Sequence, residues 1–360
     1  MTISQGASEY KIKCCQGVII LNKAVCFGEI MLRLNPPGNL RYLQAGEFEA
    51  SYAGGEANVA VSLANYGIPV SYVTKVPKHE IGQSAVNSLR QFGVETDHIL
   101  RGGERLGIYF VEKGASQRAS KVIYDRADSA IALASPEEFD WSSILDGATW
   151  FHFTGITPAL GENAARACMD AVKAAKQRGI TVSCDLNYRG KLWSREKAQE
   201  VMSKLMAYVD ICISNEEDAF DVFGIKAIGT DVEKGELSHD GYISVAQQLS
   251  ERFGFSKVAI TLRGSLSASD NTWSGLLYEN GTACFAPEYH IHIVDRVGGG
   301  DSFAGGLLYA LMEGFSNQDA VNFATAASCL KHSIEQDFNL MSVAEVKALA
   351  AGNASGRVQR

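Results

Sequence analysis

Several features that would place this chain in other protein classes are missing from its sequence. The 360 residues contain no run of about 18 apolar residues, so no segment is predicted to be a transmembrane helix. The net charge is −8, and an acidic chain lacks the Lys and Arg excess that sequence-independent nucleic-acid binding requires. We therefore expect neither a membrane nor a nucleic-acid partner. An anionic ligand must be attracted by a few placed groups and not by the overall field.

Metal and redox motifs are lacking too. The eight cysteines form no CxxC pair and no cluster with histidine. Several lie in apolar, strand-like runs such as VSCDL and DICIS, where cysteine behaves as a small hydrophobic residue. A reducing, cytoplasmic setting fits this cysteine usage best.

Glycine, in contrast, is abundant, with 35 residues against only 7 prolines. From Gly54 onward, Ala- and Leu-rich helical stretches end in glycine, and β-branched strands follow at once. Glycine at that position closes a helix with a left-handed residue, and the four examples are Gly67, Gly93, Gly179 and Gly254. Helices that alternate with short strands predict βαβ units and a mainly parallel sheet covered on both faces, which is an α/β fold.

Two stretches break this rhythm. Residues 35–52 and 104–126 alternate polar and apolar side chains, as half-exposed antiparallel strands do. They form either a small separate sheet, which could serve as a lid, or edge hairpins of the main sheet. We predict one domain over residues 23–350 that contains these two insertions. Residues 1–22 lack the features of a secretory signal and are predicted to be a flexible extension, and residues 351–360 a frayed tail.

The most informative segment is IHIVDRVGGGDSFAGG, which predicts a strand to Val294, a glycine run over 298–300 and a helix from Asp301. Glycine lets the backbone approach a ligand, and the unpaired N–H groups of a helix N-terminus attract anions. The amides of Gly298, Gly299, Gly300 and Asp301 could therefore cradle a phosphate. The Asp301 carboxylate stands beside it to accept a proton from an attacking hydroxyl. The alternative is a simple Asp cap after a glycine turn.

Other phosphate-binding motifs are absent. No GxxxxGK[ST] sequence occurs, so the chain is not a P-loop enzyme. The GxGxxG pattern also fails, because Phe303 stands where its last glycine belongs. This counts against a dinucleotide-dependent oxidoreductase.

These residues carry a family resemblance. DRVGGGDSFAGG resembles the DxxGxGDxFxxG signature of the ribokinase-like (PfkB-type) carbohydrate kinases, and GGEANVAVSLANYG is similar to their first signature, at the sugar site. AVCFGEIMLRL and SNEEDAF are similar to the opening strand and the NxxE motif of that family. The resemblance covers about residues 24–345. It implies a three-layer α/β/α fold with a β-sheet lid, which favours the separate-sheet interpretation, and ATP-dependent phosphorylation of a sugar.

Within the family, GIYF, YDRADSA, DLNYRGKLW and CLKHSIEQDFNL are similar to segments of the kinases that act on 2-keto-3-deoxygluconate. The reaction implied is phosphorylation of the terminal hydroxyl, giving 2-keto-3-deoxy-6-phosphogluconate. A sugar acid carries a carboxylate, and a guanidinium fork binds carboxylates through charge-assisted hydrogen bonds. Arg126 and Arg189 would hold this group. The alternatives are a lid-surface or interface salt bridge for Arg126 and a capping or inter-loop contact for Arg189.

The resemblance implies further roles, residue by residue. The expected sugar-binding residues are Gly54, Gly55, Asn58, Tyr109, Tyr124 and Asn187. The expected ATP-binding residues are Asn215, Thr261, Arg263, Gly264 and Asn322. Asp218, which stands where the family has Glu, would organise Mg²⁺ through water, and Asp295 and Val297 would bind a monovalent cation such as K⁺. Lids of this kind pair between subunits in relatives, so a homodimer is expected.

Two other functions remain open from the sequence. A fructokinase or another neutral-sugar kinase would use the same scaffold but would not need the arginine pair. A non-catalytic sugar-sensing protein would keep the fold and would be expected to lose the GGGD loop, which is intact here.

Overall fold

The computed structural model describes residues 14–15, 18–19, 22–215, 217–226 and 239–353. The predicted extension over residues 1–22 and the predicted tail over 351–360 therefore lie largely outside the described residues. Within the described part, Cys14–Cys15 (β1) pairs antiparallel with Val18–Ile19 (β2). No helix in these ranges is long and apolar enough to cross a membrane.

A ten-stranded sheet forms the middle layer of the molecule. In chain order its strands are β3 (Ala24–Phe27), β6 (Val70–Val76), β7 (Ile99–Arg101), β10 (Trp150–Thr154), β11 (Thr181–Asp185), β12 (Ile211–Asn215), β13 (Lys257–Ser265), β14 (Asp270–Glu279), β15 (Thr282–Phe285) and β16 (Tyr289–His292). Their spatial order is β15-β14-β13-β12-β11-β10-β3-β6-β7, and β16 pairs with β14. The strands from β13 to β7 pair in parallel, whereas β14, β15 and β16 form an antiparallel edge.

Helices cover both faces of this sheet, because successive strand residues point to opposite sides. In β3, Ala24 and Cys26 join one hydrophobic core, and Val25 and Phe27 join the other. The first core also contains residues of α1 (Gly55–Asn65), α2 (Glu80–Arg90), α9 (Gly299–Met312), α10 (Asn317–Lys331) and α11 (Val343–Ala350). The second core contains residues of α3 (Trp141–Ile144), α5 (Glu162–Gln177), α6 (Arg195–Met206), α7 (Asp218–Phe223) and α8 (His239–Phe253). A single turn, α4 (Ile156–Ala159), follows β10.

The predicted glycine closures are confirmed. Gly67, Gly93, Gly179 and Gly254 all have left-handed backbones, with φ between 70° and 87°. Each lies between a helix and a strand, where only a residue without a Cβ adopts this conformation at little cost. The regular alternation that predicted the α/β fold therefore rests on these positions.

The two irregular stretches form a separate four-stranded sheet, as the lid interpretation predicts. Its strands are β4 (Met31–Asn35), β5 (Glu49–Ala53), β8 (Ile108–Glu112) and β9 (Lys121–Asp125), in the order β5-β4-β8-β9. The first strand begins at Met31, earlier than the predicted stretch 35–52, and ends before two prolines that cannot donate to a ladder. Because β4 follows β3 after only a short connection, this sheet is attached to the carboxyl end of the central strands.

Candidate active site

A cleft of about 630 Å³ lies at the carboxyl ends of the parallel strands β11, β12 and β13. Asp185, Asn215 and Thr261 line it from these strands, and the N-terminus of α9 faces them. Open parallel sheets bind ligands at this edge, where loops and helix N-termini converge. The cleft is therefore the natural place for the phosphate cradle that the sequence predicts.

The reason that glycine occupies the cradle differs among its three consecutive positions. Gly298 caps α9 with a left-handed φ of 82°, and a side chain there would overlap the backbone carbonyl of Asp337. A Cβ on Gly299 would lie 2.5 Å from the His332 ring. At Gly300, however, no described atom outside the local helix lies within 4 Å of the Cβ position. The first two glycines are required by packing, and Gly300 leaves open space on the cleft side.

Asp301 lies in the first turn of α9 and is half-buried in the cleft wall. Its Oδ2 accepts a hydrogen bond from Asn58 Nδ2 at 2.6 Å. Burial raises the pKa of Asp301 to about 6, and this rise is opposed by the Asn58 hydrogen bond and the nearby Arg189 guanidinium. A carboxylate with this pKa is ionised at neutral pH but holds a proton more readily than an ordinary Asp. These are the properties expected of a proton acceptor.

The glycine pair that precedes Asn58 brings α1 close to Asp301. A side chain on Gly54 would overlap the backbone carbonyl of Glu29, so Gly54 is required for the close approach of two chain segments. A Cβ on Gly55 would lie 3.6 Å from Asp301 Oδ1 and 3.9 Å from Asn187 Nδ2. Gly55 thus keeps the space between these two polar groups open.

The Asn58 hydrogen bond has a measurable consequence for the pH dependence of turnover. If Asp301 must be ionised to accept a proton, activity rises as pH increases through the pKa of Asp301, which is about 6. Asn58→Ala removes the group that lowers this pKa, so the midpoint of the acid limb moves to higher pH. The pH profile of kcat/KM for wild type and variant measures this shift.

The matched control is Asn65→Ala, a loss of the same side chain at the other end of α1, where Asn65 Nδ2 donates to the Met341 carbonyl. Substrate groups that titrate contribute equally to all three profiles, so the comparison isolates Asp301. If the midpoint did not shift in Asn58→Ala, the acid limb would not report the ionisation of Asp301.

A second group of charges lies at the end of β11. Asp185 is buried, and its pKa is raised well above the ordinary value by burial and by the nearby Asp218 and Asp301 carboxylates, with Arg189 opposing the rise. Asn187 and Arg189 line the same cleft wall. The sequence interpretation overlooked Asp185, although a carboxylate that ends the buried strand TVSCD was the available signal.

The nucleotide side of the cleft contains most of the residues predicted for it. Asn215, Asp218, Thr261 and Arg263 all line the cleft. Asn215 Nδ2 donates to Asp218 Oδ2 at 3.0 Å, and Asn215 Oδ1 accepts from the Asp218 amide at 2.8 Å. The shorter Asp218 side chain thus forms a compact pair with Asn215. Arg296, which the sequence interpretation overlooked, also lines this region.

Two residues predicted to contact the nucleotide do not line the cleft. Asn322 lies on α10 ten residues before His332, about 15 Å along the helix axis from the cleft end. It accepts a hydrogen bond from Gln318 and lines a different cavity of about 440 Å³. Gly264 is not among the residues that line the cleft. A Cβ there would overlap Thr272 on the neighbouring strand, so strand packing accounts for this glycine.

The predicted sugar-binding residues of the small sheet have internal partners. Arg126 is buried, and its Nε donates to Glu29 Oε2 at 2.8 Å, so its guanidinium already has a carboxylate. The Tyr109 hydroxyl donates to Asp337 Oδ2 at 2.8 Å, and the Tyr109 ring stacks on Tyr124 at 6.1 Å. The predicted closure of Arg126 and Arg189 around one carboxylate is therefore not formed. Of the two arginines, Arg189 lines the cleft.

The prediction of a monovalent cation at Asp295 and Val297 also fails the test of fit. The backbone oxygens of both residues accept hydrogen bonds from the ammonium of Lys331. The Asp295 carboxylate pairs with Arg33 Nη2 at 2.5 Å. The oxygens that a K⁺ ion would need are thus occupied by the chain's own cations.

A divalent ion, in contrast, is compatible with the cleft. In the described ranges, no group of three or more His, Cys, Asp or Glu side chains converges to hold a metal ion directly. Asp185 and Asp218 nevertheless bring two neighbouring carboxyl groups to the cleft, and burial together with the Asp218 and Asp301 carboxylates raises the pKa of Asp185. Mg²⁺ keeps several waters and binds through one or two carboxylates together with substrate phosphates, so this arrangement fits it.

The three-layer fold, the helix N-terminus with its glycine cradle and the half-buried Asp301 together define a phosphotransferase that acts on a small hydroxylated substrate. The sequence profile described as pfkB family carbohydrate kinase matches residues 21–335. The chain belongs to this family of carbohydrate kinases. The fold and class expected from the sequence are thereby confirmed.

Individual relatives cover nearly the whole chain. The crystal structure of 2-dehydro-3-deoxygluconokinase from Thermotoga maritima is 52% identical, covers 92% of this chain and 99% of that one, and has a TM-score of 0.89. The 2-dehydro-3-deoxygalactonokinase of Haloferax volcanii is 33% identical over 92% of this chain and 98% of its own length. The 2-dehydro-3-deoxygluconokinase of Thermoproteus tenax is 30% identical, covering 87% of this chain and 89% of its own.

Proposed function

We propose that this kinase transfers the γ-phosphate of ATP to the terminal hydroxyl of 2-keto-3-deoxygluconate, also called 2-dehydro-3-deoxygluconate, giving 2-keto-3-deoxy-6-phosphogluconate. The observation that carries the proposal is the place of Arg189, a cation in the same cleft as the half-buried proton acceptor Asp301. A sugar acid offers both a carboxylate for Arg189 and a hydroxyl for Asp301. The similar chains from Thermotoga maritima and Thermoproteus tenax bear the corresponding name.

In the proposed reaction, Asp301 accepts the proton of the terminal hydroxyl while that oxygen forms its bond to the γ-phosphorus and the bond to the ADP oxygen breaks. Asn58 holds the Asp301 carboxylate in place. The amides of Gly298, Gly300 and Asp301 donate to the transferred phosphoryl group, whose charge lies mainly on its outer oxygens, whereas the Gly299 amide donates to the Arg296 carbonyl at 3.3 Å. The chain thus supplies positioning and charge stabilisation, which this reaction chiefly requires.

ATP would lie along Asn215, Thr261 and Arg263, with its terminal phosphate at the N-terminus of α9. When Mg²⁺ is bound with the nucleotide, it neutralises phosphate charge. Asp185 and Asp218 are the carboxylates that would hold its waters. Asp185 thereby joins Asp218, the residue predicted for this role.

The sugar would lie between Gly55, Asn58 and Asn187, with its carboxylate at Arg189. Arg126 does not contact the sugar in this arrangement, because Glu29 already binds its guanidinium. Arg126 instead positions Tyr124, with 5.5 Å between the guanidinium carbon and the ring centre. Tyr109 likewise positions Tyr124 and Asp337. This differs from direct contact of Arg126 and Tyr109 with the sugar.

The proposal is tested with a coupled ADP-release assay on a panel of 2-keto-3-deoxygluconate, gluconate, fructose and ribose. Arg189→Ala should raise KM for the keto acid about 10–100-fold, which corresponds to the loss of a charge-assisted hydrogen bond. KM for any neutral sugar that is accepted should change little.

The matched control for this experiment is Lys191→Ala, which removes a positive charge two residues away whose Nζ contacts the Val122 carbonyl. Equal effects of Arg189→Ala on acidic and neutral sugars would refute the carboxylate assignment. Higher kcat/KM for fructose than for the keto acid would favour the neutral-sugar kinase.

A second candidate substrate is 2-keto-3-deoxygalactonate, which differs from the first in configuration at C4. It is favoured by the 33% identity to the Haloferax volcanii relative, whose name specifies the galacto compound. The ratio of kcat/KM for the two epimers in the same assay decides between them.

We also propose a cytoplasmic homodimer that pairs through the outer face of the small sheet. Phe48 and Ile123 are exposed apolar side chains beside and on this sheet, on the face opposite to Tyr124, and a partner subunit would bury them. Six cysteines are free thiols, which agrees with a reducing compartment: Cys26, Cys168, Cys184, Cys212, Cys284 and Cys329. Light scattering of the purified chain measures the assembly.

A further inference from the structure

Lys331, the last residue of α10, is fully buried beneath the phosphate cradle. Its ammonium donates to the backbone oxygen of Asp295 at 3.1 Å and also to that of Val297. A lysine is rarely fully buried, since removal of its charge from water is costly unless oxygens replace the water. The buried ammonium is therefore stabilised by these two oxygens, which suggests a specific role at this position.

The two carbonyls belong to the segment that leads directly into Gly298 and the N-terminus of α9. The segment is restrained from other sides too: the Asp295 carboxylate accepts from Arg33 and from the Gln336 amide, and Asp295 Oδ1 accepts from the Val297 amide at 3.1 Å. The Lys331 ammonium donates to both backbone oxygens and so holds them at a fixed separation. Its loss would leave both oxygens turned toward a buried space without a donor.

The two backbone oxygens leave no place for another cation, because the Lys331 ammonium already occupies them. Asp295 and Asp337 supply two negative charges, and Arg33 bridges them while Lys331 supplies the second positive charge. Burial lowers the pKa of Lys331, and the Asp295, Asp337 and Asp301 carboxylates oppose this effect while Arg33 adds to it. A K⁺ ion at the same oxygens would meet the ammonium at contact distance, and the repulsion between the two positive charges would exclude it.

We propose that Lys331 is a built-in monovalent cation: its ammonium holds the 295–298 segment in the position that the phosphate cradle needs, and turnover is independent of K⁺. Lys331 is a positioning residue, because it acts through the backbone of the cradle and not on the substrates. The proposal rests on phosphoryl transfer in this cleft, and it holds for whichever sugar is the substrate.

The wild-type enzyme provides the first test and requires no variant. Initial rates are measured in KCl, NaCl and choline chloride at equal ionic strength, with 2-keto-3-deoxygluconate or the best substrate of the panel. We expect the same kcat in all three salts. A saturable activation by K⁺ of several-fold would overturn the proposal.

Two variants test the ammonium itself. Lys331→Met keeps the length of the side chain without its charge, and we expect kcat to fall about 10–100-fold with little change in KM and no response to K⁺. Lys331→Ala leaves room for an ion, so K⁺ or NH₄⁺ should restore part of the lost kcat in a saturable manner. Wild-type kcat in Lys331→Met, or equal responses of the two variants to K⁺, would overturn the proposal.

Thermal unfolding gives a readout that needs no sugar. K⁺ in place of choline should raise the melting temperature of Lys331→Ala and leave that of wild type unchanged. Lys257→Ala is the matched control, because Lys257 is a partly buried lysine that pairs with Glu279 away from the cleft. It should show the wild-type response to every salt. A K⁺-dependent increase in wild-type melting temperature would contradict the proposal even if the proposed substrate proved wrong.

Discussion

Asp301→Asn is expected to reduce kcat by about 10²–10⁴-fold, because general-base catalysis contributes this much and Asn cannot accept the proton. The substitution keeps the shape of the side chain and an oxygen that can accept from Asn58. ATP binding should therefore remain near that of wild type. Steady-state rates and nucleotide binding by calorimetry measure the two effects separately.

The same variant should not be less stable than wild type at neutral or alkaline pH. The folded-state pKa of Asp301 is about 6, above its ordinary value of 3.8, so the ionised form is disfavoured by folding. This difference corresponds to about 3 kcal/mol, and the penalty is fully present above pH 6 and absent below pH 4. Asp301→Asn should therefore be more stable than wild type at pH 8, and this gain should disappear toward pH 4.

Asp210→Asn is a useful contrast, since Asp210 forms a partly exposed ion pair with Lys176 at the opposite end of the sheet. That variant should keep kcat and should gain no stability at pH 8. Comparable turnover in Asp301→Asn and wild type would remove Asp301 from the proton-accepting role. A loss of stability at pH 8 would show that its burial is compensated by contacts beyond Asn58 and Arg189.

Gly300→Ala is expected to lose about 10²–10³-fold in kcat, the usual effect of disturbing a preorganised anion site. The added methyl group meets no described atom within 4 Å outside the local helix, so it would occupy the space left for the phosphate. The fold should tolerate it, because Ala in place of Gly within a helix stabilises by up to about 1 kcal/mol. Turnover and thermal unfolding are measured on the same sample. The turnover number should fall, whereas the melting temperature should rise or stay at the wild-type value.

Gly298→Ala is the comparison that makes this result interpretable. Its left-handed φ of 82° and the overlap with the Asp337 carbonyl predict a loss of stability together with a loss of activity. If Gly300→Ala kept wild-type kcat, the open face of α9 would not be the phosphate site. If it unfolded like Gly298→Ala, the loss of activity would carry no information about the phosphate.

Much of the fold was predictable because its signals are local. The glycines at 67, 93, 179 and 254 close helices through their own backbone conformation, and strand and helix periods are properties of short segments. The cradle was predictable for the same reason: Gly298 to Asp301 are consecutive, so one segment contains the helix start and the carboxylate. Asn58 was implied by family resemblance, and the structure places it on Asp301.

The predicted contacts that the structure does not form concern side chains whose partners are distant in sequence. Arg126 pairs with Glu29 and Tyr109 with Asp337, across 97 and 228 residues of chain. Motif position identified Arg126 and Tyr109 as important residues, but it could not show that other buried groups already bind them. Asn322 was assigned to the cleft by motif position. Because α10 begins close to the carboxyl end of α9, Asn322, in the first half of α10, lies toward the end of this helix pair that is away from the cleft.

By itself, therefore, the sequence determined the α/β alternation and a phosphate cradle beside Asp301, since each depends on residues close together in the chain. The separate small sheet was one of two interpretations until the family resemblance favoured it, because its strands β4 and β8 pair across more than 70 residues. Only the tertiary structure decided which charges face the cleft and which neutralise one another. Arg33 reaches Asp337 across 304 residues, and the Lys331 ammonium reaches the Asp295 carbonyl from a different helix. A buried charge must find its partner in space, and the folded arrangement of the layers alone brings these partners together.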